Sequence, residues 1–161
     1  MDIDKIKNSI RNVPDFPKPG IQFKDITTLL QDHDAFNEAI EAFYDAFKDE
    51  KIDVIVGIES RGFIFAGSIA KDLSLPFILA RKPGKLPNET YIKDFDLEYG
   101  STSIEIQKNT MVNESDRVVI VDDLVATGGT AIACSELLTE NFNIKKLIEQ
   151  GIPLISKQYK K

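Results

Sequence analysis

Short unbroken apolar runs alternate along this chain with longer amphipathic stretches, and the two patterns mark different elements. Val54-Ile-Val-Gly57 and Val118-Val-Ile-Val121 have the length of strands and are apolar at successive positions, as a parallel strand buried on both faces must be. They place strands over 52–57 and 117–121, with a further strand over 76–80. Gly62–Leu73 and Ala131–Thr139 carry the pattern of helices. From Asp34 onward, Phe36, Ala39, Ile40, Phe43, Tyr44 and Phe47 recur at helical spacing and form a core-facing stripe. Residues 3–12 predict a short helix ending before Pro14, and Pro14, Pro17, Pro19 and Gly20 an irregular loop. Arg81–Asp96, rich in Pro, Gly and charge, predicts a mobile excursion, and Glu98–Gln107 a strand or hairpin around Gly100. Strands alternating with helices define the α/β class, with a mostly parallel twisted sheet covered on both faces.

Candidate chemistry gathers where two of these strands end. At Val121-Asp122-Asp123 an apolar run switches to paired carboxylates, which marks the carboxyl edge of the sheet, where ligands of such folds bind. The following Ala126-Thr127-Gly128-Gly129-Thr130 offers glycines that let an anion approach the backbone, flanking hydroxyls, and the N–H groups of the helix behind. Neither the Walker pattern nor the dinucleotide pattern of glycines is present. Carboxylates before a phosphate loop suit a ligand with hydroxyls beside its phosphate, because a carboxylate accepts two hydrogen bonds from a vicinal diol. That describes a ribose 5-phosphate; the plainer alternative is an ordinary strand-turn-helix with acids at the sheet edge. The second loop, Ile58-Glu59-Ser60-Arg61-Gly62, leaves the same edge. Arg61 at a helix start is out of place beside a positive dipole end unless it shares an anion with the helix, or pairs with Glu59 at the surface.

Composition narrows the choices. The chain has 161 residues, the length of one domain with a substantial core. A net charge of −6 and the absence of any long basic run argue against nucleic-acid binding. Cys134 is the only cysteine and falls within the apolar rhythm of a helix, which makes it a core residue. His33, the only histidine, sits among polar neighbours at a helix start, so serine-histidine and metal-histidine chemistry have little support. No run of about 18 apolar residues and no leader-like N-terminus is present, which leads to an expectation of a cytoplasmic protein without membrane partners.

The run from Val118 to Thr130 resembles the signature of the type I phosphoribosyltransferases, which bind 5-phosphoribosyl 1-diphosphate. Asn12–Ile26, Gly57–Phe65, Arg81–Pro87, Leu97–Gly100 and Ile104–Lys108 are, in order, similar to the adenine-using members of that family. The resemblance implies a single domain over 1–161, with 1–33 forming the base-binding region and a flexible catalytic loop. It implies transfer of the 5-phosphoribosyl group to adenine, giving AMP and diphosphate in purine salvage. The base would meet Phe23 face-on, with the backbone of Gln22 and Lys24 reading its amino edge. A cis peptide between Glu59 and Ser60 would turn an N–H towards diphosphate, beside Arg61. Arg81, Lys82 and Lys85 would supply further charge across a homodimer interface, with Mg²⁺ carried mainly by the diphosphate and no metal site of the protein's own. Asp122, Asp123 and Ala126–Thr130 would hold ribose and 5-phosphate. Glu98 would exchange a proton with a purine ring nitrogen, Tyr99 would shape the closed lid, and Arg61 would complete the catalytic set.

Two departures and two rivals accompany that resemblance. After Glu140 the family continues through another core strand, whereas here Asn141–Lys146 runs directly into Leu147–Ile155, which is similar to the family's ending. The C-terminal part is thus expected to be short of a strand, which admits a non-catalytic remnant. The rivals are a phosphoribosyltransferase for another purine, and a regulator that binds phosphoribosyl diphosphate without catalysis. The regulator would need a basic or added nucleic-acid surface that this acidic chain does not offer.

Overall fold

The computed structural model describes residues 2–97, 100–124, 128–144 and 146–150. They divide into two compact units, Met1–Asp45 and Ala46–Lys161.

The N-terminal unit opens with α1 (Ile3–Asn8), whose Asp2 cap accepts from the Lys5 N–H. The helix is shorter than its apolar pattern suggests, because Arg11–Pro14 forms β1, which pairs antiparallel with β2 (Gln22–Asp25). A long-range ion pair fixes that hairpin: Arg11 Nε donates to Asp25 Oδ2 at 3.1 Å, and the two residues sit opposite each other in the register. Asp25 also accepts from the Thr27 N–H at the start of α2 (Thr27–Gln31). Hydrogen bonds from Thr27 and then from Arg11 hold its carboxyl down at about 2. The proline loop between the strands is closed by the Gly20 N–H on Asp15 Oδ1 at 2.7 Å. Then α3 (His33–Phe47) buries Ala39, Ile40, Phe43 and Phe47 as the stripe requires, but it leaves Tyr44 exposed and buries Ala42 instead. His33 is exposed at its start.

In the second unit, β3 (Val54–Ile58), β4 (Phe77–Ala80), β7 (Arg117–Val121) and β8 (Lys146–Gln150) form a four-stranded sheet in the order β4-β3-β7-β8. All its pairings are parallel. Helices α4 (Gly62–Leu73) and α5 (Gly129–Phe142) carry the crossovers. Val54, Val56, Val118 and Ile120 pack with Ala133, Cys134, Leu137 and Leu138 of α5 in one core cluster. Cys134 is thus a fully buried free thiol.

One expectation is corrected here. Residues 90–97 do not form an irregular excursion: β5 (Thr90–Leu97) pairs antiparallel with β6 (Gly100–Gln107) along its whole length. Charge on both faces disguised the strand, since inward Tyr91 packs edge-on against Phe142 of α5 while inward Lys93 pairs with Glu136 and Glu140. Beyond β7, Lys146–Gln150 follows α5 directly and pairs with β7 from Arg117 to Val121.

Candidate active site

Strands β3 and β7 lie side by side in parallel, with Gly57 opposite Val121, so the loops that follow them leave the same sheet edge together. Their closeness depends on Gly62, the first residue of α4. A Cβ there would stand 2.7 Å from the Val121 carbonyl oxygen and 3.0 Å from Asp122 Cα, both backbone atoms that cannot give way cheaply. Gly62→Ala is therefore expected to lower stability by about 1–3 kcal/mol and to displace Asp122. Thermal melts and ligand titration of that variant check it; an unchanged melting temperature would show that the loops have room to part.

The acidic pair is arranged asymmetrically. Asp123 is buried, its N–H donates to Asp122 Oδ1 at 2.8 Å, and Arg61 Nε stands 3.1 Å from its Oδ2. The pair is an ionic contact without hydrogen-bond alignment, so Asp123 Oδ2 remains a buried oxygen lacking a hydrogen-bond partner. Such an atom invites a ligand donor or cation. Burial, then the neighbouring Asp123 charge, push the Asp122 carboxyl from 3.8 up to about 8. Because the folded value exceeds the unfolded one, this group's contribution to stability is complete below the unfolded value and is lost as pH rises through the folded value. The ligand-free protein should thus lose melting temperature between pH 4 and pH 8, and Asp122→Asn should flatten that slope. Calorimetric melts of both proteins across the range decide it.

Glu59 does not pair with Arg61. Its carboxylate takes Arg81 Nε at 3.1 Å, Arg81 Nη2 at 3.3 Å and the Lys82 N–H at 2.9 Å. Burial alone would raise its pKa, but the bonds from Arg81 and Lys82 and the charges of Arg81 and Lys85 outweigh it and hold the group below its ordinary value. The peptide between Glu59 and Ser60 is cis. At the other loop Gly128 caps α5 with φ +83°, a left-handed conformation suited to glycine, and its carbonyl accepts the Ile132 N–H. The first N–H groups of that helix have no acceptor within it.

A cleft of about 250 Å³ joins these parts, lined by Glu59, Arg81, Lys82, Asp122 and Thr130 together with Phe95, Thr102, Ser103 and Ile104. The last four were not singled out from sequence. The signal for Phe95 was the alternation of β5, in which Tyr91, Lys93 and Phe95 turn inward while Ile92, Asp94 and Asp96 face out; Thr102, Ser103 and Ile104 lie on β6, its partner. Ser60, Arg61, Lys85, Asp123 and Gly128 belong to the surrounding loops, and Gly129 to the first turn of α5, rather than to the cleft wall. Gln22, Phe23 and Lys24 lie on β2 in the N-terminal unit, with Phe23 half-buried and edge-on to Phe16 at 5.0 Å. Glu98, Tyr99, Ala126 and Thr127 lie outside the described residues.

Residues 25–148 match the family model of the phosphoribosyl transferase domain. The fold, the acidic pair and the loop after it thus define a phosphoribosyltransferase-domain protein. The chain is 54% identical over 132 residues to an adenine phosphoribosyltransferase of Campylobacter jejuni subsp. jejuni, an alignment covering 81% of this chain and 72% of that one. It belongs to the adenine phosphoribosyltransferase family. The crystal structure of adenine phosphoribosyltransferase from Thermoanaerobacter pseudethanolicus superposes with a TM-score of 0.84 at 47% identity, covering 92% of this chain and 86% of that one. The Saccharomyces cerevisiae enzyme, crystallised with an imino-altritol bisphosphate and adenine, gives 0.80 at 39% identity, covering 91% and 88%.

Proposed function

We propose that this chain transfers the 5-phosphoribosyl group of 5-phosphoribosyl 1-diphosphate to adenine, giving AMP and diphosphate in a purine salvage reaction of the cytoplasm. The observation that carries the reading is the placement of Asp122 and Thr130 in one cleft with Lys82 at the carboxyl edge of the sheet. Carboxylates and a helix N-terminus there suit the diol and 5-phosphate of one ribose, while cations on the facing wall suit its diphosphate. In the reaction N9 of adenine bonds to C1 of the ribose as the C1–oxygen bond breaks, diphosphate leaves with the bonding pair, and the N9 proton must be taken up. The protein holds the ribose for in-line attack through Asp122, Asp123 and the loop to Thr130. Arg61, Lys82 and Lys85 offset charge on the leaving group. Glu98 serves as the proton acceptor with Tyr99 beside it, and Phe23 stacks on the base between Gln22 and Lys24.

Among the described residues no three His, Cys, Asp or Glu side chains converge as a metal cage. Mg²⁺ would be held through Asp122 or Asp123 together with the diphosphate, because Asp123 Oδ2 is buried without a hydrogen-bond partner and Mg²⁺ binds through one or two carboxylates plus substrate phosphates. When bound it would neutralise charge on the leaving group. A homodimer is part of the same reading, and light scattering would measure it. Among the described residues no helix is long and apolar enough to cross a membrane. The deciding experiment mixes the protein with Mg²⁺, phosphoribosyl diphosphate and a panel of purines. Diphosphate release with adenine alone is the expected result; release with hypoxanthine or guanine instead, or none at all, would refute it.

A further inference from the structure

The turn between β4 and β5 bears Arg81, Lys82 and Lys85, and its composition predicts mobility; the structure ties it down from two sides. On one side the Glu59 carboxylate takes Arg81 Nε at 3.1 Å, Arg81 Nη2 at 3.3 Å and the Lys82 N–H at 2.9 Å. On the other, Glu105 of β6 is buried, yet its Oε2 reaches the Gly84 N–H at 3.2 Å. Its backbone exchanges both hydrogen bonds with Arg81, at 2.9 Å and 2.7 Å. Arg81 then closes the turn by donating from Nη1 to the Lys85 carbonyl at 3.0 Å. A carboxylate is a poor neighbour for a diphosphate, and a buried one costs free energy unless something gains from it. Both acids spend their acceptors on the same turn, Glu59 on the Arg81 guanidinium and the Lys82 N–H and Glu105 on the Gly84 N–H, while the Lys82 and Lys85 side chains remain exposed. Gly84 takes φ +74°, the left-handed conformation that lets its N–H turn back towards Glu105.

We propose that Glu59 and Glu105 are positioning residues, a paired clasp that holds the 81–85 turn in shape so that Lys82 and Lys85 meet diphosphate as a preorganised pair of cations. Without the clasp, the turn would have to be ordered on binding, and affinity would fall by that ordering cost. The claim rests on the transferase reading for its ligand, but its test does not require turnover. Inorganic diphosphate with Mg²⁺ is titrated calorimetrically into wild type, Glu105→Ala, Glu105→Gln and Glu59→Ala, while amide exchange is followed at Lys82 and Gly84. Glu105→Ala should speed exchange at Gly84 and weaken diphosphate binding by about tenfold, the scale of one lost hydrogen bond to a charged group. Glu105→Gln, which keeps an acceptor for the Gly84 N–H, should restore both. Glu59→Ala, at a partly exposed site, supplies the same comparison at Lys82 should the buried substitution impair folding.

In steady-state assays the alanine variants should raise KM for phosphoribosyl diphosphate about tenfold while kcat changes less than about twofold, a split that general loss of folded protein would not produce. Wild-type affinity in folded alanine variants, or failure of Glu105→Gln to rescue, would overturn the clasp. Wild-type protein that binds diphosphate in the expected pattern yet never transfers to a purine would sink the enzymatic reading and leave the clasp standing. Wild-type protein that binds no diphosphate would remove both.

Discussion

Replacing Glu98 with alanine is expected to lower turnover by about 10²–10⁴-fold while affinity for phosphoribosyl diphosphate stays within about twofold of wild type. The asymmetry follows from what each part of the site does. In the proposed reading, ribose and phosphate are held by groups at the ends of β3 and β7, which lie apart from Glu98 in the sequence. The purine must shed its N9 proton as the C1–N9 bond forms, and the lone histidine stands exposed at the head of α3. A carboxylate is thus the natural acceptor. β5 ends at Leu97 and β6 begins at Gly100, and the same hairpin contributes Phe95, Thr102 and Ser103 to the cleft that contains Asp122 and Thr130. Glu98→Gln sharpens the test, since an amide can hydrogen-bond the base but cannot accept its proton, and it should resemble the alanine variant. Steady-state kinetics together with calorimetric binding of phosphoribosyl diphosphate decide the matter. An unchanged kcat would remove Glu98 from the mechanism, whereas a loss confined to binding would make it a ligand contact.

Arg61→Ala is expected to act on binding and stability at once. Its guanidinium lies 3.1 Å from the buried Asp123 carboxylate, and removing it leaves a charge in the interior without its counter-ion. Fully enclosed pairs lose about 3–5 kcal/mol in this way, but Arg61 is 36% exposed, so solvent reaches the gap and about 1–3 kcal/mol is the better figure. Diphosphate affinity should fall about 10- to 100-fold, the scale of a lost hydrogen bond to a charged ligand. The two losses separate in a double-mutant cycle. Asp123→Asn added to Arg61→Ala should recover stability, with a coupling of about 0.5–3 kcal/mol, while binding stays weak. Strictly additive stabilities would mean that the ion pair contributes little and that Arg61 serves the ligand alone.

The parts of the fold that could be read along the chain are those set by local pattern. An unbroken apolar run has one stable home, between neighbouring strands and under helices, so Arg117–Val121 and Gly62–Leu73 fall where their residues place them. The abrupt change from Val121 to Asp122 likewise marks the sheet edge, and Cys134 could be assigned to the core from its neighbours. The misreadings share one cause, a partner distant in sequence. Along the chain Arg11 and Asn12 read as the end of a helix over 3–12 and Pro14 as loop, because the strand they join pairs across a proline loop with Gln22–Asp25. β5 reads along the chain as an excursion because inward Lys93 becomes acceptable only beside Glu136 and Glu140 of α5.

By itself the amino-acid order determined the class of the fold, the edge at which chemistry occurs and the kinds of group assembled there, because these follow from hydrophobic period, strand length and the chemistry of adjacent side chains. Only the tertiary structure decided which charge meets which. Arg61 turned out to face Asp123 and not Glu59, Glu59 took Arg81, and Glu105 came up beneath Gly84. Electrostatic pairing depends on distances of a few ångströms between segments tens of residues apart, and those distances exist only once the sheet has set its register.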